Sequence, residues 1–369
     1  MNSKERFKAA CEFSKPDRVP IDYLSHYKTD NRLREYFGIN SEDELLEILN
    51  CDFYYLPCRD ISQNEGFLSC YKGPKLDMTQ KERTCPFGVR YLRGAYENKF
   101  NVDEAISGPF QNDVTQKDIL NYRWPRVSDF DFSPLHSECE SHSDRVIAGG
   151  LWTGIMGDSY RMCGFENFLL NTALNPELVD TLVDKMTEVY LELNNAYFSE
   201  LKGKIDIWFF GNDFGSQDGL LLSAEMWHRF FFRNIKELAD LAHSHGAKVM
   251  MHSCGGISEI IPYLIDAGID ILDPVQVTAR GMEPEILAEK FKGKIVFHGG
   301  IDTQNLLPNG TIEEIKSSSA KTINLLGDNG GYIFAPSQIL GPDIPVENII
   351  AMYSAACGFD ISTKIGFKN

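Results

Sequence analysis

The strongest constraint on the fold is an alternation that runs the length of the chain: short, apolar, β-rich runs separated by helical stretches. Such an alternation predicts a parallel sheet with crossover helices. Eight runs read as strands: Arg18–Tyr23, Cys51–Pro57, Arg145–Trp152, Ile205–Gly211, Lys248–His252, Ile269–Pro274, Lys294–His298 and Gly331–Ala335. Eight parallel strands close a ring, so the expected fold class is α/β, a (β/α)8 TIM barrel. Most runs are near-continuous in apolar character, as strands covered on both faces must be. Several end in Gly, Asp, His, Cys, Pro or Gln, and the carboxyl ends of barrel strands are where catalysis sits in this architecture.

The intervening helices carry their own signals. Asn175-Pro176-Glu177 opens one, with Asn as cap and Pro at the first helical position. Leu178, Leu182, Val183, Met186, Val189 and Tyr190 follow it at helical spacing. Ser223 starts another, which runs through Phe230, Phe231, Ile235 and Leu238 to a stop at Gly246.

A bare barrel needs about 250 residues, and this chain has 369. The surplus falls in an amino-terminal helical extension (about 1–17) and in an insertion (about 58–144). In the insertion, Phe87-Gly88-Val89-Arg90-Tyr91 alternates like a hairpin strand. The insertion reads as a lid over the barrel mouth, and residues 1–369 read as one domain.

Composition narrows the class of partner. With 43% hydrophobic and 24% charged residues the chain is ordinary globular material. A net charge of −17 with no Lys/Arg cluster argues against nucleic acid. No apolar run approaches the roughly 20 residues of a membrane span, and the start lacks the pattern of a secretory signal. Nine cysteines are scattered without disulfide-like spacing, which suits reduced thiols in the cytoplasm.

One of those cysteines has chemistry beside it. Met250-Met251-His252-Ser253-Cys254-Gly255-Gly256 puts an imidazole and a thiol two residues apart, where a strand gives way to a Gly-rich loop. Zn2+ favours mixed N/S ligands, and a catalytic zinc keeps three protein ligands with one position open. The third must come from another strand end: Asp213, His298 or, with less support, Asp273. Asp213 could equally cap a helix, and His298 could equally be a general acid or a satisfied core histidine. His243 and His245 resemble a metal box, but at a helix end their charge complements the dipole, so they read as structural. Gly299-Gly300 and Gly330-Gly331 match neither a P-loop nor a dinucleotide fingerprint and read as tight turns. Arg90, Tyr91, Arg93, Trp124 and Trp152 are candidates for lining a cleft, with packing an equal claim on each aromatic.

Taken together, several segments resemble the uroporphyrinogen decarboxylase superfamily, and within it the cobamide-dependent methyltransferase branch. They are Arg18-Val19-Pro20, Phe87-Gly88-Val89-Arg90, Trp124-Pro125, the run from Gly211 to Gln217, His252-Ser253-Cys254-Gly255, Asp273-Pro274-Val275-Gln276, the run from Gly299 to Gln304, Ala335-Pro336-Ser337 and Pro342-Asp343-Ile344-Pro345. The decarboxylase's Arg-rich substrate motif has no counterpart around residues 18–40. The thiol-methylating members place a second zinc-binding Cys near the last strand. Here that stretch reads Phe334-Ala335-Pro336-Ser337-Gln338, with no cysteine before Cys357.

The resemblance therefore implies an O-demethylase-type methyltransferase. It would move a methyl group from a small donor, a methoxylated aromatic, to a corrinoid (cobalamin) carried by a partner protein. Zinc would sit on His252, Cys254 and Asp213; Asp213 and His298 would be the catalytic candidates; Asn212, Gln217, Gln276, Trp152, Arg90 and Ser337 would contact substrate. The alternatives are a methylcorrinoid-to-thiol methyltransferase and a metal-independent decarboxylase. Oligomeric state is left open, a homodimer included.

Overall fold

The computed structural model describes residues 1–58, 62, 65–94, 103–111 and 113–364. Seven strands form one parallel sheet in sequential order: β1 (Phe53–Tyr55), β2 (Val146–Gly149), β3 (Ile207–Gly211), β4 (Lys248–His252), β5 (Ile271–Val275), β6 (Val296–Ile301) and β7 (Tyr332–Pro336). The ring is completed by the start of the chain. Asp22 donates its N–H to Phe334 O at 2.9 Å, Phe334 donates to Pro20 O at 2.8 Å, and Asp52 donates to Ile21 O at 2.8 Å. Residues 20–22 thus lie between β7 and β1 as the eighth stave, and the structure is a (β/α)8 barrel.

That stave is anchored by charge as well as by backbone pairing. The buried Asp52 carboxylate accepts from Arg6 Nη1 and Arg18 Nη1, both at 2.6 Å, and from Ile21 N at 2.8 Å. Deleting it would remove the buried partner of both guanidinium groups, leaving Arg6 its pair with Asp17 and Arg18 two backbone carbonyls, a cost of up to about 3–5 kcal/mol for a broken buried pair.

All five residues of β3 are buried, as a strand covered on both faces requires. Trp208 and Phe210 stack at 4.2 Å, while the alternating Phe209 and Gly211 line the central cavity. Each fully buried large apolar side chain contributes about 1.5–3 kcal/mol, so this layer is a main source of stability.

The helix after β2's loop is Ile155–Cys163, and the long one that follows is Pro176–Leu201. Pro176 occupies the first turn as expected, but the Asn175 side chain makes no capping bond. Ser223 does cap, accepting from Met226 N at 3.2 Å. Its helix passes through a π-turn at His228–Phe232 before Arg233–Ser244, and Gly246 then takes φ +82°.

Two local expectations change. Gly299-Gly300 is no tight turn: both residues lie inside β6 with φ near +100° and +93°. A Cβ on Gly299 would come within 3.1 Å of Val275 N, so the glycines admit a close strand approach that side chains would block. The hairpin signal at 87–91 is shifted, with the strand at Arg90–Leu92 between antiparallel neighbours Glu82–Thr84 and Glu104–Ser107. This ribbon reaches the helix Ile155–Cys163 through Phe110 N, which donates to Met162 O at 2.8 Å. Parts of the insertion (59–61, 63–64, 95–102 and 112) lie outside the described residues. No helix among the described residues is long and apolar enough to cross a membrane.

Candidate metal centre and the cavity beside it

His252 is the last residue of β4, and Cys254 follows in the loop. Alternation along the extended chain turns the residue between them the other way: Ser253 is buried and its Oγ accepts from Phe214 N at 3.1 Å. His252 and Cys254 therefore share a side, with Nε2 and Sγ 3.3 Å apart. Asp213, two residues beyond β3, places Oδ1 at 3.5 Å from His252 Nε2 and accepts from Cys254 N at 3.0 Å. The three ligand atoms lie within 4.8 Å of one another.

These distances suit a zinc ion. Zn–N, Zn–O and Zn–S bonds of about 2.0–2.3 Å in a tetrahedron put ligand atoms roughly 3.3–3.6 Å apart. The donor set of one nitrogen, one oxygen and one sulfur, with nothing forcing a fourth protein ligand, also fits. Gln338 Nε2 lies 3.1 Å from Cys254 Sγ, so an amide occupies the neighbourhood of the thiol on the β7 side.

A buried chain of charges supports the centre from below. Asp273, at the end of β5, accepts from His252 Nδ1 and from His298 Nδ1, each at 2.6 Å. His298 Nε2 in turn donates to Asp22 at 2.9 Å, and Asp22 also accepts from the Tyr55 hydroxyl and, at 2.7 Å, from Tyr23 N. Asp22, Asp273 and His298 are all 4% exposed or less, so each charge needs the next. Burial would lower the pKa of His298, but the facing Asp273 and Asp22 carboxylates outweigh it and raise it to about 9. Burial likewise opposes ionisation of Asp273, yet His298 and His252 hold its carboxyl well below the usual range. For His252 the desolvation penalty is overcome by Cys254 and Asp273, and its pKa stands well above the ordinary imidazole value.

The centre opens on a cavity of about 270 Å3 at the carboxyl ends of the strands. Trp152, Tyr160 and Phe209 give it aromatic walls on one side. Trp152 stands 5.2 Å from Phe209 and 5.3 Å from the His252 ring. Trp152 lies flat against Gly211, where an added Cβ would meet its ring at 2.1 Å. The turn that aims it is strained, with Thr153 at φ +27°. Asn212 holds that turn from both ends of its amide, accepting from Met156 N at 2.8 Å and donating to Thr153 O at 3.2 Å. Strain of this kind persists only where the surroundings over-determine it.

Of the residues singled out in the sequence, Trp152, Asn212, Asp213, His252 and His298 line this cavity. Cys254, Gln276 and Ser337 line a second hollow on the other side of the Cys254–Gln338 contact. Gln217 joins this group by accepting from Gln276 Nε2 at 3.1 Å. Gln276 also accepts from Gly255 N at 2.8 Å and so braces the loop after Cys254. Arg90 is elsewhere: it is exposed on the ribbon and paired to Glu82 at 2.6 Å. Trp124 and Tyr91 are packing residues, the first donating to Ile119 O and the second lying 4.1 Å beneath the Arg83 guanidinium. No described residue of 58–144 lines the cavity; strand ends and the helix Ile155–Cys163 build it instead.

Sequence reasoning missed Asp22, Arg161 and Gln338, and it rated Asp273 too low. Asp22 did leave a signal, as the lone acid within Val19-Pro20-Ile21-Asp22-Tyr23, because an unpaired charge in a buried strand is not tolerated.

Comparison with known proteins agrees with this architecture. Residues 139–358 match the family model described as uroporphyrinogen decarboxylase (URO-D). A methylated-thiol–coenzyme M methyltransferase of Methanosarcina mazei is 26% identical over 205 residues, covering 53% of this chain and 48% of that protein. The chain thus matches about half the length of that relative. A solved methyltransferase from Methanosarcina mazei superposes over 97% of this chain and 99% of its own, with a TM-score of 0.66 and 17% identity, which shows a common fold.

Proposed function

This chain belongs to the uroporphyrinogen decarboxylase family, and from that premise we propose that it is a methyltransferase taking a methyl group from a methoxylated aromatic to the corrinoid of a partner protein. The observation that carries the reading is the convergence of Asp213, His252 and Cys254 on one point at the edge of an aromatic-walled cavity. Those three residues would hold zinc, which when bound supplies a Lewis acid for the ether oxygen as the phenolate leaves.

The chain's own groups do the rest. Trp152 and Phe209 offer flat apolar walls to an aryl ring. Asp273 accepts a hydrogen bond from His252 Nδ1–H, which leaves Nε2 as the nitrogen that would face the metal, a familiar carboxylate–histidine support. His298 has both ring nitrogens committed to carboxylates, so it serves as the cation that keeps Asp273 ionised. Asp22 then belongs to the same working unit, which is why we take residues 1–369 as one domain although the family model begins at 139.

In the reaction the methyl–oxygen bond breaks, the methyl passes to Co(I), which supplies the electron pair, and the phenolate takes its proton from the open mouth. A second reading is favoured by one relative, whose name specifies a methylated thiol: the donor or acceptor would then be sulfur. The same assay separates them. Purified protein is mixed with a reduced corrinoid protein and a panel of methoxyaromatics and methyl thioethers, and the cobalt spectrum is followed. Methylcorrinoid formation with aryl ethers is expected; formation with thioethers alone favours the second reading, and no methylation with any donor removes both. Release of CO2 from an aromatic or tetrapyrrole acid that persists after chelation, with no methylcorrinoid formed, would instead indicate a metal-independent decarboxylase.

A further inference from the structure

We propose that Gln338 is a positioning residue for the metal centre: its amide N–H bonds to the Cys254 sulfur and sets how strongly that sulfur donates to zinc. The inference rests on the metal-assisted reading above and is independent of which methyl donor is used. Gln338 Nε2 donates to Cys254 Sγ at 3.1 Å. The sulfur also lies 3.3 Å from His252 Nε2. The two contacts differ in kind. His252 is itself a proposed ligand, whereas an amide nitrogen has only N–H groups to offer and acts as a donor.

An amide can point either way, and here its own chain fixes the orientation. Gln338 Oε1 accepts from Ile339 N at 2.9 Å. The flipped amide would set N–H against N–H and turn an oxygen toward the sulfur. The backbone is held on both sides. Ser337 N donates to Ile301 O at 2.8 Å and Ser337 Oγ accepts from Thr303 N at 3.3 Å, which ties the approach to β6 and its loop. Leu340 N donates to Leu24 O at 3.0 Å, which ties the exit to the start of the chain. On the sulfur's side, Cys254 N donates to Asp213 Oδ1 at 3.0 Å. Gln338 lines both the central cavity and the second hollow, so the N–H···S bond lies on the partition between them. Its side chain is exposed, and substitution there leaves the core intact.

As a metal ligand the Cys254 sulfur is a thiolate, and an N–H placed on a thiolate makes a charge-assisted bond. That bond draws electron density from the sulfur, weakens it as a donor and leaves more positive charge on the ion. An ion tuned in this way polarises an ether oxygen more strongly. The same bond makes the sulfur a poorer nucleophile, so that it stays a ligand in the presence of a methyl donor.

A merely structural Gln338 would respond to any substitution in the same direction, whereas a hydrogen-bond donor responds according to whether an N–H remains. The full chain is stripped of metal and loaded with Co2+, whose thiolate-to-metal charge-transfer band reports the donor level of the sulfur. Gln338→Leu, which removes the N–H, should move the band to lower energy. Gln338→Lys, which supplies an ammonium donor, should hold it at or above the wild-type energy. In the zinc-loaded protein, alkylation of Cys254 by iodoacetamide is followed by peptide mass mapping. It should be roughly 3- to 10-fold faster in Gln338→Leu, part of the worth of one hydrogen bond to a charged group, and no faster in Gln338→Lys. A band that stays in place in Gln338→Leu, or moves the same way in both variants, overturns the proposal. No thiolate band in the wild type removes the metal centre and this inference together. The expected shifts with no methyl transfer to the corrinoid protein from any donor support the role of Gln338 and remove the methyl-transfer reading. Methyl transfer by a protein whose band is indifferent to residue 338 removes the role of Gln338 and leaves that reading standing.

Discussion

Two histidine pairs in this chain differ in spacing, burial and partners. His243 and His245 stand two residues apart at the end of the helix Arg233–Ser244, where His243 meets Asp270 at 2.7 Å and His245 lies against Asn195 and Phe198. His252 and His298 are 46 residues apart in the chain, yet they share one carboxylate, Asp273, beneath the cavity. The helix end leaves His243 exposed on one carboxylate and His245 half-buried against an amide and a ring. The strand ends bury theirs, so charge must be balanced within the protein and every ring nitrogen must be assigned. Local spacing makes a pair look like a metal box; convergence of unlike ligand atoms, as at Asp213, His252 and Cys254, is what a metal would require.

The contrast can be broken most sharply at the ligands. His252→Ala and Cys254→Ser are expected to lose bound zinc entirely and to reduce methyl transfer to background, while His243→Ala and His245→Ala retain both. Metal analysis after gel filtration decides this, and equal zinc in all four variants would remove the proposed centre. Next in size is the shared carboxylate. Asp273→Asn should weaken zinc binding by about 10- to 100-fold and cost about 3–5 kcal/mol of folding free energy as a broken buried charge pair, read by competition with a chelator and by urea unfolding.

The pH dependence of stability is the third test. The pKa of His298 is raised in the folded protein from 6.5 to about 9. A group raised in this way contributes stability that is complete below about pH 6.5 and is lost as pH climbs through about 9. The contribution is on the order of 3 kcal/mol. Urea midpoints should fall across that window in the wild type and change little in His298→Gln; a wild-type profile as flat as the variant's would refute the buried imidazolium. The smallest effect belongs to the exposed pair, where His243→Ala should change stability by less than about 1 kcal/mol.

Much of this was legible beforehand for a definite reason. All eight strand positions follow from apolar runs, because a strand buried on both faces must be written in Val, Ile, Leu and aromatic residues. His252 and Cys254 were readable because an i, i+2 pair at a strand end shares one side of the chain. The insertion was less readable. Its ribbon residues, Arg90 among them, alternate in polarity like any hairpin, and alternation does not say against what the hairpin packs. Gly299-Gly300 misled for a similar reason, since a pair of glycines permits positive φ in a turn and in a crowded strand alike.

By itself the sequence determined the barrel and singled out His252 and Cys254 at and just beyond the end of β4 as candidate ligands, with a short roster for a third. Only the closed ring brought Asp213 beside His252, turned Asp273 into the support of two histidines, and set Asp22 against His298 across 276 residues of chain. Periodicity is a property of neighbours along the backbone, whereas the balance of buried charge is a property of neighbours in space, and it takes the closure of β7 onto residues 20–22 to make the one into the other.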